Sequence, residues 1–344
     1  MSDDRSAAAF VYAVSATCSH LAPSTGEDSQ FRTHRIETLI NKSIISLGSL
    51  TRQTSISVKT ILTRVFLANS LVAVGDPRTA FLYLRQAASM LETYRLPSKI
   101  TTELCDARLV RLYWLIFIHE RYQCIAEYRT ALLQPLPHAG PDGALADMAE
   151  HIGFSRIVSL FRLLDDIFIQ YWLGEGGIAP PITSVWVQHK NEEFRQDEAE
   201  AATMLSSLDI AQQVDLHVTR HWLLVLVWRI AMANRLLGED SSEHCLSLRY
   251  PLHVSARLLL LLQDIPSQAI EIHGVSIVQK LFELADTVAD ITMHASSSAP
   301  SEAELHHLRQ LWDILSSYTQ LDATRREIID DKFRRIFAYD GAST

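Results

Sequence analysis

The sequence predicts an all-α protein, and three observations predict it. Glycine and proline are scarce, at 12 and 11 in 344 residues, so tight turns of the kind a β-sandwich needs are few. Apolar residues recur at the 3.6-residue spacing of one helix face along most of the chain. No segment alternates apolar and polar residues in the manner of a half-buried strand.

The elements follow in order. Residues 7–21 form an apolar helix, and 22–30, with Pro, Ser, Gly and Glu, form a loop. Residues 32–47 form a second helix, followed by a polar stretch over 48–57. Residues 58–74 carry apolar side chains at 58, 61, 62, 65, 66, 68, 71 and 72, the period of an amphipathic helix. Gly75 ends it, Asp76 is placed to cap the next helix, and Pro77 suits that helix's first position. The following helix, to Tyr94, turns Ala80, Leu84, Ala87, Ala88 and Leu91 to one side. These small residues predict a closely packed helical hairpin near the N-terminus. Further helices are expected over 102–127, 144–173, 185–206, 210–237, 251–262, 267–294, 303–318 and 323–337. Pro135, Pro137, Gly140 and Pro141 mark a loop over 134–143. The Gly- and Pro-rich run 174–181 is the strongest break in the chain. The expectation is one domain over 1–344 with an internal subdivision near 174–181.

Composition narrows the function classes. A formal net charge of −9 repels phosphate backbones, so no direct nucleic-acid contact by this chain is expected. Cys18, Cys105, Cys124 and Cys245 form no C-x-x-C pair, so they read as buried free thiols in a reducing compartment. The most apolar stretch, 221–233, is too short for a bilayer and contains Arg229. No membrane role is expected, and the location expected is nuclear or cytoplasmic.

Three segments share a pattern with a known family. Residues 111–121 read RLYWLIFIHER, followed by Tyr128, Arg129 and LLQPLP at 132–137; 214–228 read VDLHVTRHWLLVLVW; 274–291 read GVSIVQKLFELADTVADI. Together with the 58–94 hairpin they resemble, in order and spacing, the middle homology region of fungal zinc-cluster transcription factors, in the branch that regulates carbon-source use. The resemblance covers nearly the whole chain and implies a helical regulatory-domain fold that controls metabolism. Two departures stand out. The six clustered cysteines and basic linker that read DNA in that family have no counterpart in this sequence, and its helices begin at residue 7. The expectation is thus a regulatory body without its zinc cluster. His221 stands where the branch leads one to expect glutamine.

Candidate chemistry centres on one helix. His217 and His221 are four residues apart and share a helical face. Without an H-E-x-x-H arrangement or a third ligand, they do not predict a metal site. With Trp222, Trp228 and Arg229 on the same helix, and Tyr113 from the helix over 102–127, they form the expected rim of a cavity. Tyr113, Trp222, Trp228 and Arg229 are the expected ligand contacts. His221 and His217 become acid–base candidates if the domain is a stand-alone enzyme, such as a metal-independent cyclase or pericyclase of a natural-product pathway. Asp165 and Asp166 are adjacent and point about 100° apart on a helix, so they read as a solvated face. Arg111, Glu120 and Arg121 read as structural ion pairs to neighbouring helices. Serine elbow, P-loop and dinucleotide fingerprint are all missing from the sequence, and no cofactor is expected. The expected partners are a small hydrophobic ligand or substrate and another regulator subunit, or a second copy in a dimer.

Overall fold

The computed structural model describes residues 2–22, 29–48, 56–94, 107–136, 149–173, 181–238, 244–294, 301–318, 321 and 323–341. Among these residues the protein is all-helical. The helices are α1 (Ser2–Leu21), α2 (Ser29–Leu47), α3 (Val58–Ala73), α4 (Pro77–Thr93), α5 (Ala107–Glu127), α6 (Ala149–Arg162), α7 (Asp166–Leu173), α8 (Ser184–Ala202), α9 (Ile210–Ala233), α10 (Tyr250–Leu262), α11 (Ser267–Glu271), α12 (Val275–His294), α13 (Glu302–Ser317) and α14 (Ala323–Gly341). Two compact units result, Met1–Arg162 and Leu163–Thr344. The run at 174–180, where sequence places a subdivision, lies outside the described residues, as does Cys105.

In the first unit α1 packs along α2 and α3, and α3 pairs with α4. The α3–α4 hairpin is built as its residues dictate. Gly75 adopts φ +82°, a left-handed turn that glycine takes without steric cost. Asp76 then accepts the Thr79 N–H at 3.1 Å, with Pro77 opening the helix. Such a cap contributes about 1 kcal/mol. Ala80, Ala87 and Ala88 are fully buried, which lets the two backbones approach closely. At the end of α5, Tyr128 takes φ +51° and turns the chain back on itself, so residues 131–136 return toward α5.

In the second unit α9 is the central helix and packs against α7, α8, α10, α11 and α12. Asp209 caps it through the Gln212 N–H at 2.7 Å, and the Gln212 side chain returns to the Asp209 N–H at 3.3 Å. The apolar core joins Val214, Val218 and Val225 of α9 to Leu258 of α10, Leu281, Ala285 and Val288 of α12, Leu308 and Leu311 of α13, and Phe333 of α14. None of the described helices is long and apolar enough to cross a membrane.

Two expected helices are each broken in two. The 144–173 span stops at Arg162 and restarts at Asp166. There the Asp165 carboxylate accepts the Phe168 N–H at 2.8 Å and pairs with Lys190 at 2.7 Å, so this aspartate is a cap and an ion-pair partner as well as part of a polar face. The 267–294 span breaks at Gly274, with φ +66°. Of the described cysteines only Cys124 is buried; Cys18 is exposed and Cys245 is intermediate, which corrects the expectation of uniformly buried thiols.

Candidate functional site

The polar residues of the three motif segments lock helices together. In the first unit the Glu120 carboxylate accepts the backbone N–H groups of Leu132 and Leu133 at 2.9 and 2.8 Å. Arg85 of α4 pairs with the same carboxylate at 3.4 Å, and Arg121 donates to the Leu133 carbonyl at 3.2 Å. Tyr113 donates to the Gln134 carbonyl at 2.6 Å. Burial pushes the Tyr113 hydroxyl up to about 12. Arg111 lies over the Phe154 ring at 5.2 Å.

In the second unit the 214–228 and 274–291 motifs interlock. Lys280 of α12 donates to Thr219 Oγ1 at 2.7 Å and pairs with Asp215 at 3.5 Å. Its ammonium also lies over the Trp222 ring at 5.7 Å. Trp222 donates its indole N–H to Glu283 at 2.7 Å. Burial lowers the Lys280 ammonium below its ordinary value despite Asp215. Burial works to raise the Asp215 carboxyl, yet Lys280, His273 and Thr219 together hold it below the usual carboxylate value.

Two residues on α9 stand apart from these locks. Arg220 and His221 are each 1% exposed and line a cleft of about 350 Å3 between α8, α9, the turn His244–Leu246 and α10. Asn191, Glu198, Tyr250 and Arg257 are among the other lining residues. Arg220 donates through Nη2 to Asp197 at 2.7 Å, while its Nε and Nη1 have no hydrogen-bond partner. His221 Nδ1 lies 2.7 Å from the His217 carbonyl, which can only accept, so Nδ1 carries the proton. Nε2 is then a bare acceptor, and it too has no partner. Tyr250 donates to Asn191 at 2.6 Å, and the His244 and His253 rings meet edge to face at 4.5 Å.

Burial sets the protonation of both α9 histidines. It lowers His221 to about 3 and His217 to about 4, with Arg220 and Arg257 acting in the same direction. In an unfolded chain histidine titrates near about 6.5. Above that value both states are neutral and the stability is fully present. As pH falls below it the unfolded chain takes up protons first, so stability declines at about 1.4 kcal/mol per pH unit for His221 alone. Burial raises the Glu120 carboxyl, which acts in the opposite sense, but only close to the carboxylate range. The expected result is a lower urea midpoint near pH 5 than near pH 7. His221→Gln should remove about 2 kcal/mol of that difference; an unchanged pH dependence in the variant refutes it.

The sequence-predicted residues thus fall in several places. His221 lines the cleft, and His217 sits one turn before it on α9. Trp228 and Arg229 line a second cleft of about 540 Å3 with Asp286, Asp290 and His294. The Trp228 indole donates to the Ser247 carbonyl at 2.9 Å, and Arg229 lies over the Trp172 ring at 5.8 Å. Trp222 is fastened to Glu283, and Tyr113 belongs to the first unit. Among the described residues no group of three His, Cys, Asp or Glu side chains is placed to hold a metal ion. Sequence reasoning missed Arg220, although an arginine flanked by Val218, Leu223 and Trp222 on an apolar helix signals a buried ion pair.

Similarity to known proteins is distant. The chain is 25% identical over 277 residues to a probable sucrose utilization protein of Candida albicans, covering 77% of this chain and 52% of that protein. It is 20% identical over 274 residues to a maltose fermentation regulatory protein of Saccharomyces cerevisiae, covering 76% of this chain and 54% of that one. The chain spans about half the length of the curated relatives it matches. No family model matches it, and no solved structure does.

Proposed function

We propose that these 344 residues form the ligand-sensing regulatory body of a fungal regulator of the zinc-cluster type, acting in the control of metabolism. The distant similarity to two fungal sugar-related proteins, one described as regulatory, supports the regulatory half of this reading. One observation carries the sensing half. On the helix that bears the 214–228 motif, the residues Arg220 and His221 border a cleft, and each holds buried hydrogen-bonding atoms without a partner. Native proteins rarely leave such groups unsatisfied, and a ligand that meets them would couple its own binding to the packing of α8, α9 and α10. DNA contact is not assigned to this acidic chain. The proposal places the protein in the nucleus or cytoplasm, acting with another regulator subunit or a second copy.

The catalytic alternative is less well supported by the site. A general base works best with a pKa near the working pH, and burial leaves His221 and His217 weak bases, at about 3 and about 4. Deletion of the coding region, followed by transcript counts and metabolite profiling, separates the two. The expected result is that transcripts of a set of metabolic genes collapse. Lost metabolites with unchanged transcripts would overturn the regulatory reading in favour of an enzyme.

A further inference from the structure

We infer that one surface of the first unit, formed by α4 and the turn after α5, docks an acidic peptide that also carries apolar side chains. The inference is independent of the sensing reading above and concerns a different part of the protein. Two guanidiniums lie over the Phe81 ring of α4, Arg85 at 4.9 Å and Arg129 at 5.3 Å. Arg78, Leu82 and Arg85 follow one another on α4 at the four- and three-residue spacings of a single helix face. Leu82, Tyr128 and Leu132 are 59%, 64% and 38% exposed, so cations and large apolar side chains reach solvent together. The turn that carries three of these residues is fastened at several points. Glu120 accepts the Leu132 and Leu133 N–H groups at 2.9 and 2.8 Å, and Arg85 donates to the Thr130 carbonyl. The backbone around Arg129 and Leu132 is thus held against the helices before any partner arrives, and a surface ordered in advance loses less freedom on binding.

Charge selects the class of partner. The chain carries a formal net charge of −9, yet this surface gathers Arg78, Arg85 and Arg129. Among the described residues Arg78 and Arg129 make no salt bridge. Arg85 pairs with Glu120, which is buried and out of a partner's reach. Asp76 spends its carboxylate on the Thr79 N–H, and the exposed Glu92 lies two turns beyond Arg85 on α4. A basic partner would meet like charge. A purely apolar one would cover guanidiniums without supplying acceptors, which costs free energy. Peptide carboxylates match the planar fork of arginine, and leucine or phenylalanine side chains between them would cover Leu82, Tyr128 and Leu132. A nucleic acid could meet the cations but offers no aliphatic groups to the exposed leucines.

The test is fluorescence anisotropy of the full chain with a labelled peptide repeating Glu-Leu-Asp-Phe. A peptide with lysine in place of each acid, and a labelled single-stranded DNA, serve as rivals. Binding of the acidic peptide is expected, and it should weaken as salt rises because the cations are near solvent. The double variant Arg78→Glu with Arg129→Glu should weaken it about tenfold, since two attractions become repulsions. Both residues are exposed, so an unchanged urea midpoint is expected. Should the double variant fail to fold, Leu82→Glu on the same stripe supplies a second reading and should also weaken the peptide. No binding of the acidic peptide overturns the inference. So does equal or tighter binding of the basic peptide or the DNA, or a folded variant that binds as the wild type does. The transcript experiment stands or falls separately.

Discussion

Replacing Glu120 with alanine is expected to destabilise the first unit by about 2–5 kcal/mol, the cost of leaving two backbone N–H groups without their acceptor, about 1–3 kcal/mol each. The carboxylate is 3% exposed and takes three donors at once: the N–H groups of Leu132 and Leu133 and the Arg85 guanidinium. Burial nevertheless raises its pKa above the ordinary value, so the ionised group costs more in the fold than in water. The large effect thus comes from what the deletion leaves behind, two backbone donors without their acceptor, rather than from a favourable charge; Arg85 keeps the Thr130 carbonyl as an acceptor. Glu120→Gln tests this distinction. It keeps an amide oxygen for one N–H and removes the buried charge, so its loss should be well under that of alanine. Urea denaturation ranks the variants, and hydrogen exchange should show protection lost over 129–136 first. Equal losses for glutamine and alanine would contradict this account.

Helix content was legible because it depends on local spacing. The run at 58–74 contains enough apolar residues in phase to reveal both the helix and its buried face, and Gly75-Asp76-Pro77 announces its turn; the run at 210–237 reveals a helix but no single face, because α9 is buried nearly all round from Val214 to Ala231. The breaks at Asp165 and Gly274 were hidden because the apolar phase continues through them. Only the Asp165 carboxylate reaching the Phe168 N–H, or the left-handed backbone of Gly274, reveals the interruption. The same limit applies to the site. The His217–His221 pair can be read from an i,i+4 spacing on one helix. Arg220 gains its meaning from Asp197, 23 residues earlier on another helix, and no local rule predicts that pairing. Trp222 and Trp228 read as cavity walls in sequence; what spacing does not show is that Glu283 and the Ser247 carbonyl hold their indoles.

Removing Asp197 tests the centre of the second unit. Arg220 is 1% exposed and Asp197 8%, so Asp197→Ala strands a guanidinium in the interior and should cost about 3–5 kcal/mol. The double variant Asp197→Leu with Arg220→Met removes both charges and fills the space with apolar atoms. Such replacements of a whole buried pair are often neutral or stabilising by about 1–4 kcal/mol. The expected ranking by urea denaturation is therefore single variant far below wild type, double variant close to or above it. If the double variant is as unstable as the single one, the pair is required for the fold itself. If the double variant is stable, the fold does without a group that it nonetheless buries with two unmet N–H donors.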